Sequence, residues 1–202
     1  MTLKISSRNK KVHKKTAEII KSGGIAIIPT DTVYGFAVDA FNIKAQKALC
    51  KIKSRSQKKP FILMSPDIKS MKMFVEIPEK ALKIAEKFWP GQLTLIFSTT
   101  EMGKILSGGR KDLGVRIPDN KFVLKLLKET GKPVFTTSVN ISSEKSAKNI
   151  DETSKFDGIV DIAVDGGQCK FSFESTVIDM VEFPYTVVRK GCLNTDEILK
   201  FV

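Results

Sequence analysis

Small polar and cationic side chains follow several apolar runs of this chain. The first run, residues 25–28, is followed by Thr30, Asp31 and Thr32. In open α/β sheets ligands bind outside strand ends, where hydroxyl, amide and guanidinium groups can meet phosphate, ribose or carboxylate oxygens. A single cluster is also what an ordinary turn contains, so only the number of clusters favours a binding site. The other clusters are Lys53-Ser54-Arg55, Arg116, residues 136–140, Ser175-Thr176 and Arg189.

Arginine is scarce in a chain that is otherwise strongly basic. The 202 residues include 34 lysines and arginines, and the formal net charge is +12. Such a charge favours polyanionic partners such as nucleotides, phosphates or RNA, although lysines on solvated faces also explain it. Arginine grips phosphate and carboxylate in a planar, bidentate way that lysine cannot match, so each arginine is a candidate ligand. The five are Arg8, Arg55, Arg110, Arg116 and Arg189.

Composition excludes several kinds of site. His13 is the only histidine, which excludes histidine-based triads and multi-histidine metal sites within this chain. The three cysteines are far apart and favour reduced thiols in a cytoplasmic protein. We expect no membrane association, because no apolar run approaches the roughly 20 residues that a membrane helix needs. Neither the P-loop nor the GxGxxG pattern occurs, so the usual nucleotide fingerprints are missing.

Interleaved strands and helices must position these clusters. A hydrophobic share of 42% can supply a core. Three helix caps are predicted: Asn42 for the helix that follows it, Asp119 for a helix over 119–131 and Thr195 for the last helix. We therefore expect one α/β domain, residues 1–202, built on a twisted mixed sheet flanked by helices. The strands are predicted within 25–28, 36–41, 61–64, 93–97, 113–118, 133–138, 158–164, 175–181 and 184–191.

Seven short motifs occur in order and cover almost the whole chain. They are PTDTVYG at 29–35, KSR at 53–55, WPGQLT at 89–94, VRIP at 115–118, SVN at 138–140, ESTV at 174–177 and VRKG at 188–191. Together they resemble the YrdC-type L-threonylcarbamoyladenylate synthases of the YrdC/YciO superfamily. The resemblance implies a YrdC-like fold with a basic concave face, present here as the catalytic domain alone.

The resemblance also implies a nucleotidyltransferase reaction. L-Threonine, bicarbonate and ATP, with Mg²⁺ as the metal that accompanies ATP, would give threonylcarbamoyl-AMP and pyrophosphate. The product would pass to a TsaD-type tRNA threonylcarbamoyltransferase for threonylcarbamoyladenosine modification of tRNA. Such chemistry suits a site without histidine, because positioning and cationic stabilisation of phosphoryl charge do most of the work.

Residue roles follow from the matched motifs. Lys53 and Arg55 resemble the catalytic KxR pair, and both would also contact ATP. Thr32 resembles the residue that holds the substrate threonine, and Arg116 the ligand of its carboxylate. The remaining threonine-binding positions implied by the resemblance are Thr30, Thr136 and Ser175. The remaining ATP-binding positions implied by it are Lys59, Ser138, Asn140, Ser146 and Arg189.

The chain departs from the family pattern at four places, one of which is Pro60-Phe61 in place of Pro-Leu. Ser56 follows the KxR pair where many relatives have proline, and Ser143 stands where a glycine is usual. Met64 lies near the position of a histidine that helps bind threonine in relatives. The departures leave open a YciO-type paralogue that shares the fold without the synthase activity.

Two further functions remain open at this stage. The positive charge is compatible with binding of structured RNA, including double-stranded RNA or tRNA, by a basic face. Only two tyrosines are present, which argues against a surface that reads RNA sequence by stacking. A carbamoyl-transfer domain of a hydrogenase-maturation factor is less favoured, because its usual partner domains are absent from this sequence.

Overall fold

Ten strands form one mixed sheet in the computed structural model, which describes residues 1–57, 59–171 and 173–201. The order across the sheet is β1-β8-β2-β3-β7-β4-β6-β5-β9-β10, with both parallel and antiparallel neighbours. The mixed α/β sheet predicted from the sequence is thereby confirmed. The strands are β1 Leu3–Ser6, β2 Ala26–Ile28, β3 Gly35–Asp39, β4 Ile62–Met64, β5 Leu93–Ser98, β6 Asp112–Arg116, β7 Val134–Ser138, β8 Ile162–Asp165, β9 Thr176–Asp179 and β10 Thr186–Arg189.

Helices cover both faces of the sheet. Successive strand residues point to opposite faces, so one strand can contribute apolar side chains to two separate clusters. In β2, Ile27 packs into one apolar cluster, whereas Ala26 and Ile28 pack into a second one beneath α1 and α6. None of the helices in the described part of the chain is long and apolar enough to cross a membrane. The helices are α1 Val12–Lys21, α2 Ile43–Ile52, α3 Ile68–Met71, α4 Glu79–Phe88, α5 Glu101–Ser107, α6 Lys121–Thr130 and α7 Thr195–Leu199, with a 3-10 helix at Asp151–Phe156.

Of the three predicted helix caps, Asn42 is confirmed at the start of α2, and the other two are each wrong by one residue. The side chain of Asn120, not Asp119, accepts the hydrogen bond from the N–H of Val123 at the start of α6. Asn194, not Thr195, caps α7 in the same way. At α6 the two candidates are aspartate and asparagine, which cap helices equally well, so residue type does not reveal which one adopts the extended cap conformation. At α7 asparagine is the better cap than threonine, so residue type favoured Asn194.

Helices α1 and α6 leave part of their own face of the sheet uncovered. Thr136, Ile62, Gly114, Ile96 and Asp179 are register partners across β7, β4, β6, β5 and β9, so they form one row on that face. Gly114 contributes no side chain, which keeps the middle of the row low. This uncovered row is the floor of a large cleft.

Candidate active site

The cleft above this row has a volume of about 560 Å³. Four of the five arginines line it, and within the described residues its walls carry six basic and three acidic side chains. Eleven of the twelve predicted site residues are among the lining residues. Those eleven are Thr30, Thr32, Lys53, Arg55, Lys59, Arg116, Thr136, Ser138, Asn140, Ser175 and Arg189.

Arg116 fixes the turn between β2 and β3 to the end of β6. Its Nη2 donates to Oδ1 of Asp31 at 2.6 Å, and its Nη1 donates to Oγ1 of Thr32 at 2.9 Å. Its Nε donates to the carbonyl of Gly91 at 2.9 Å. Burial lowers the pKa of Arg116, and the adjacent Asp31 carboxylate opposes that shift. A guanidinium carries five N–H groups, so this one can hold the turn and still donate to a carboxylate in the cleft.

The hydroxyl groups of the turn are ordered by the backbone and by each other. Thr30 Oγ1 donates to the carbonyl of Val33 at 2.7 Å and lies 3.1 Å from Thr32 Oγ1. The other oxygen of Asp31 accepts a hydrogen bond from Gln92 Nε2 at 3.0 Å. The turn therefore presents a pre-set pair of hydroxyls beside a buried guanidinium, which is an arrangement that can recognise an amino acid.

A second hydrogen-bonded chain crosses the opposite wall of the cleft. Thr94 Oγ1 lies 2.8 Å from Ser175 Oγ, which also accepts from Arg189 Nη2 at 3.1 Å. Arg189 further donates from Nη1 to Glu174 Oε2. Glu174 Oε1 accepts from Ser146 Oγ at 2.7 Å. Ser146 itself is not among the lining residues, and it reaches the cleft only through Glu174.

Lys53 is buried and holds the loop that follows β7. Its Nζ donates to the carbonyls of Ser138 and Asn140 and, at 2.6 Å, to Oδ1 of Asn140. Ser138 Oγ donates to the same amide oxygen at 2.9 Å. Burial and, to a lesser extent, the positive charge of Arg55 lower the pKa of Lys53 to about 8. The ammonium group therefore positions Ser138 and Asn140 as well as adding charge to the cleft.

Arg55 lies at the mouth of the cleft with hydrogen-bonding capacity to spare. Its Nη2 donates to the carbonyl of Pro60 at 2.7 Å, and its guanidinium lies 5.7 Å from the ring centre of Phe61. Its Nε is buried and has no hydrogen-bond partner within the described residues. Since a buried N–H without a partner costs free energy, this donor is suited to an anionic ligand.

Several lining residues were not assigned roles from the sequence. Thr94 and Glu174 belong to motifs that were quoted, WPGQLT and ESTV, but only the serine of ESTV was given a role there. Asp112 of β6 and Asp179 of β9 also line the cleft and carried no recognisable signal. Met64, which was noted above as a departure from the family pattern, also lines the cleft.

The acidic residues of the cleft do not build a metal site of their own. No group of three or more histidine, cysteine, aspartate or glutamate side chains within the described residues could hold an ion. Both oxygens of Glu174 are engaged by protein donors, and Asp112 is paired with Arg110.

Comparison with known proteins identifies relatives over nearly the full chain. Residues 18–191 match the Sua5/YciO/YrdC family model, whose description is telomere recombination. A threonylcarbamoyl-AMP synthase of Pyrococcus abyssi is 33% identical over 189 residues, which are 92% of this chain and 56% of the relative. A putative threonylcarbamoyl-AMP synthase of Methanocaldococcus jannaschii is 33% identical over 98% of this chain and 96% of its own length.

A solved structure shows the same fold. The crystal structure of P. abyssi Sua5 complexed with L-threonine superimposes with a TM-score of 0.92 and 31% identity, over 100% of this chain and 61% of that one. The chain thus spans little more than half the length of the P. abyssi protein.

Proposed function

We propose that this chain, which belongs to the Sua5/YciO/YrdC family, is an L-threonylcarbamoyladenylate synthase, a nucleotidyltransferase that uses ATP, bicarbonate and L-threonine. The observation that carries the proposal is the 2.9 Å contact between Arg116 and Thr32 in a cleft whose other wall is cationic. One half of the cleft suits an amino acid, and the other suits a triphosphate.

The amino-acid half is built around Arg116. The substrate carboxylate would accept the guanidinium N–H groups that do not hold the turn. The hydroxyls of Thr32 and Ser175 would bind the polar atoms of threonine, and Thr30 and Thr136 would complete the walls. Met64 adds an apolar contact for the methyl group of threonine. The L-threonine bound to P. abyssi Sua5, a relative with the same fold, supports this assignment.

The nucleotide half is built from cations at the end of β10 and beside α2. Arg55 and Arg189 would bind phosphate oxygens, with Lys59 where the nucleotide enters. Lys53 would hold Ser138 and Asn140 against the phosphates through the hydrogen bonds described above, and Ser146 would act through Glu174. Mg²⁺ would enter as part of the nucleotide substrate and neutralise phosphate charge.

The arrangement supports a two-step reaction. The neutral amine of threonine adds to the carbon of bicarbonate-derived CO2, which gives a carbamate and releases a proton. A carbamate oxygen then bonds to the α-phosphorus while the bond from that phosphorus to the bridging oxygen breaks, and pyrophosphate leaves with the electron pair. Arg55 and Arg189 would stabilise the charge that builds on the phosphoryl oxygens, and such preorganised donors typically supply about 100- to 1000-fold in rate.

Release of pyrophosphate from ATP in the presence of bicarbonate, with and without L-threonine, tests the proposal. We expect release that depends on threonine and is much weaker with L-serine. Arg55→Ala should lower it by about 100-fold or more without lowering the melting temperature. Arg8→Ala removes an exposed arginine far from the cleft in sequence and is the matched control. No threonine-dependent release would refute the synthase and favour a YciO-type paralogue.

The wider context is also proposed. The product would be handed to a TsaD-type transferase for tRNA modification, and the three free cysteines fit a cytoplasmic protein. An RNA-binding module is the second candidate, motivated by the net charge of +12. It predicts salt-dependent binding of structured RNA that survives the Thr32→Val change, whereas binding that requires an intact cleft would argue against it.

A further inference from the structure

Glu174 is an acidic residue placed among the cations of the cleft. One of its carboxylate oxygens accepts the hydroxyl of Ser146 at 2.7 Å, and the other accepts Nη1 of Arg189. These are the same two side chains that are proposed to act at the phosphates of ATP. Its side chain is 30% exposed, and it lines the cleft directly.

The backbone keeps Glu174 in this place. The N–H of Cys192 donates to its carbonyl at 3.0 Å, and Arg189 Nε donates to the carbonyl of the adjacent Ser175 at 3.0 Å. A Cβ atom on Gly191 would lie 2.3 Å from the Glu174 carbonyl oxygen, so the segment after β10 packs against it more closely than any side chain would allow. The carboxylate is therefore held at the cleft by a tightly packed backbone.

Its negative charge acts beyond its two hydrogen-bond partners. Burial lowers the pKa of both Lys53 and Arg55, and in both cases the charge of Glu174 acts in the opposite direction. Glu174 is thus close enough to stabilise several cations of the nucleotide half in the absence of a ligand.

We propose that Glu174 is an internal anion that occupies the phosphate partners of the cleft and makes the site select metal-bound over metal-free triphosphate. The proposal rests on the proposed function, because it assumes that phosphates bind at Arg189. A phosphate that approaches Arg189 Nη1 must displace the carboxylate or share the donor with it. The phosphate and the Glu174 carboxylate are both negative, so they repel each other when they share this donor. The repulsion weakens when a divalent cation neutralises part of the triphosphate charge.

Calorimetric titration with inorganic tripolyphosphate and with ATP, in chelator and in Mg²⁺, tests the selection. Glu174→Gln keeps an oxygen that accepts from Arg189 but removes the charge. In chelator we expect it to bind both ligands about tenfold more tightly than the unchanged protein. In Mg²⁺ the difference in affinity should shrink. Glu101→Gln is the matched control, since Glu101 is also paired with a cationic side chain, that of Lys104, but lies outside the cleft.

Three results would overturn the proposal. Equal or weaker binding by Glu174→Gln in chelator would reduce Glu174 to a packing and orienting role. Weaker binding in Mg²⁺ alone would make it a metal ligand. Tripolyphosphate that binds neither protein would mean that the cleft is not a phosphate site. Glu174→Ala removes the charge without introducing the side-chain amide of glutamine and serves as a second variant. The melting temperature of each variant is measured alongside.

The binding result is independent of turnover. If threonine-dependent pyrophosphate release is absent but Glu174→Gln still binds tripolyphosphate more tightly in chelator, the synthase is refuted and the role of Glu174 stands. If threonine-dependent release is present but the two proteins bind tripolyphosphate equally tightly in chelator, the synthase stands and the role of Glu174 is refuted.

Discussion

The guanidinium of Arg116 and the carboxylate of Asp31 form an ion pair of 2.6 Å in which the side chains are 4% and 0% exposed. Each oxygen of Asp31 is used, one by Arg116 and the other by Gln92. The pair ties the turn after β2 to the end of β6. Asp31 is therefore the counter-ion that keeps Arg116 charged and oriented in the amino-acid half of the cleft.

Asp31→Asn should destabilise the whole protein. It leaves the buried charge of Arg116 without its counter-ion, and breaking a buried pair in this way costs about 3–5 kcal/mol. Urea unfolding measures the loss. Asp157→Asn, which breaks the exposed pair with Lys4, is the comparison and should cost less than about 1 kcal/mol. Similar losses in the two variants would contradict the structural role given to Asp31.

Thr32→Val should weaken threonine binding while Thr32→Ser preserves most of it. The Thr32 hydroxyl is proposed to bind a polar atom of the charged substrate, and a hydrogen bond to a charged group is worth about 1.5–3 kcal/mol. We therefore expect an affinity for L-threonine lower by about 10- to 100-fold in the valine variant, measured by calorimetry in the presence of ATP. Thr130→Val removes a buried hydroxyl of α6 that bonds only within its own helix, and it should leave the affinity unchanged.

Lys53 predicts a particular pH dependence of stability. Burial and the neighbouring Arg55 lower its pKa in the folded protein from 10.5 to about 8. Between these two values the unfolded chain binds the proton that the folded protein has released, so the free energy of unfolding rises with pH.

The measurement is urea unfolding of the unchanged protein and of Lys53→Met at about pH 7.5 and about pH 9.5. The unchanged protein should gain stability relative to the variant over this interval. Lys51→Met removes an exposed lysine of α2 and controls for the loss of one positive charge. A difference that stays constant or falls with pH would show that Lys53 keeps its proton.

Gly191→Ala should damage binding through a steric effect. The new Cβ would lie 2.3 Å from the carbonyl oxygen of Glu174 and 2.4 Å from the carbonyl carbon of Ser175, so both residues must shift. We expect weaker binding of threonine and of ATP by calorimetry. Gly131→Ala at the C-cap of α6, where φ is 61°, should lower stability by about 1 kcal/mol and leave both affinities intact.

The position of most elements could be predicted from local pattern, because buried strands and amphipathic helices leave a periodic trace. Strand β1 was not predicted. Its sequence LKIS is short and mostly exposed, and it becomes a strand only by pairing in parallel with β8, more than 150 positions away. No local property of residues 3–6 carries that information.

In the candidate site too, the residues could be predicted from the sequence, whereas the contacts between them could not. The motifs pointed to Arg116 and Thr32 as separate ligands, and the structure adds the bonds between them. Those bonds depend on the register of the sheet and on the path of the turn, which residue types do not specify. Glu174 was given no role from the sequence. A glutamate in a chain with many lysines and arginines is expected to have a cationic partner, but the sequence does not identify that partner.

The link between Asp31, Gln92 and Arg116 joins three stretches that are distant along the chain. Its contacts join residues that are 61 and 85 positions apart in the sequence, and closing such long loops costs conformational entropy. Formation of the surrounding sheet brings the ends of these loops together. We therefore expect the amino-acid half of the cleft to form late in folding. Affinity for threonine in a refolded preparation would therefore report that the native topology has been reached. Bound threonine would also stabilise the entire domain by mass action.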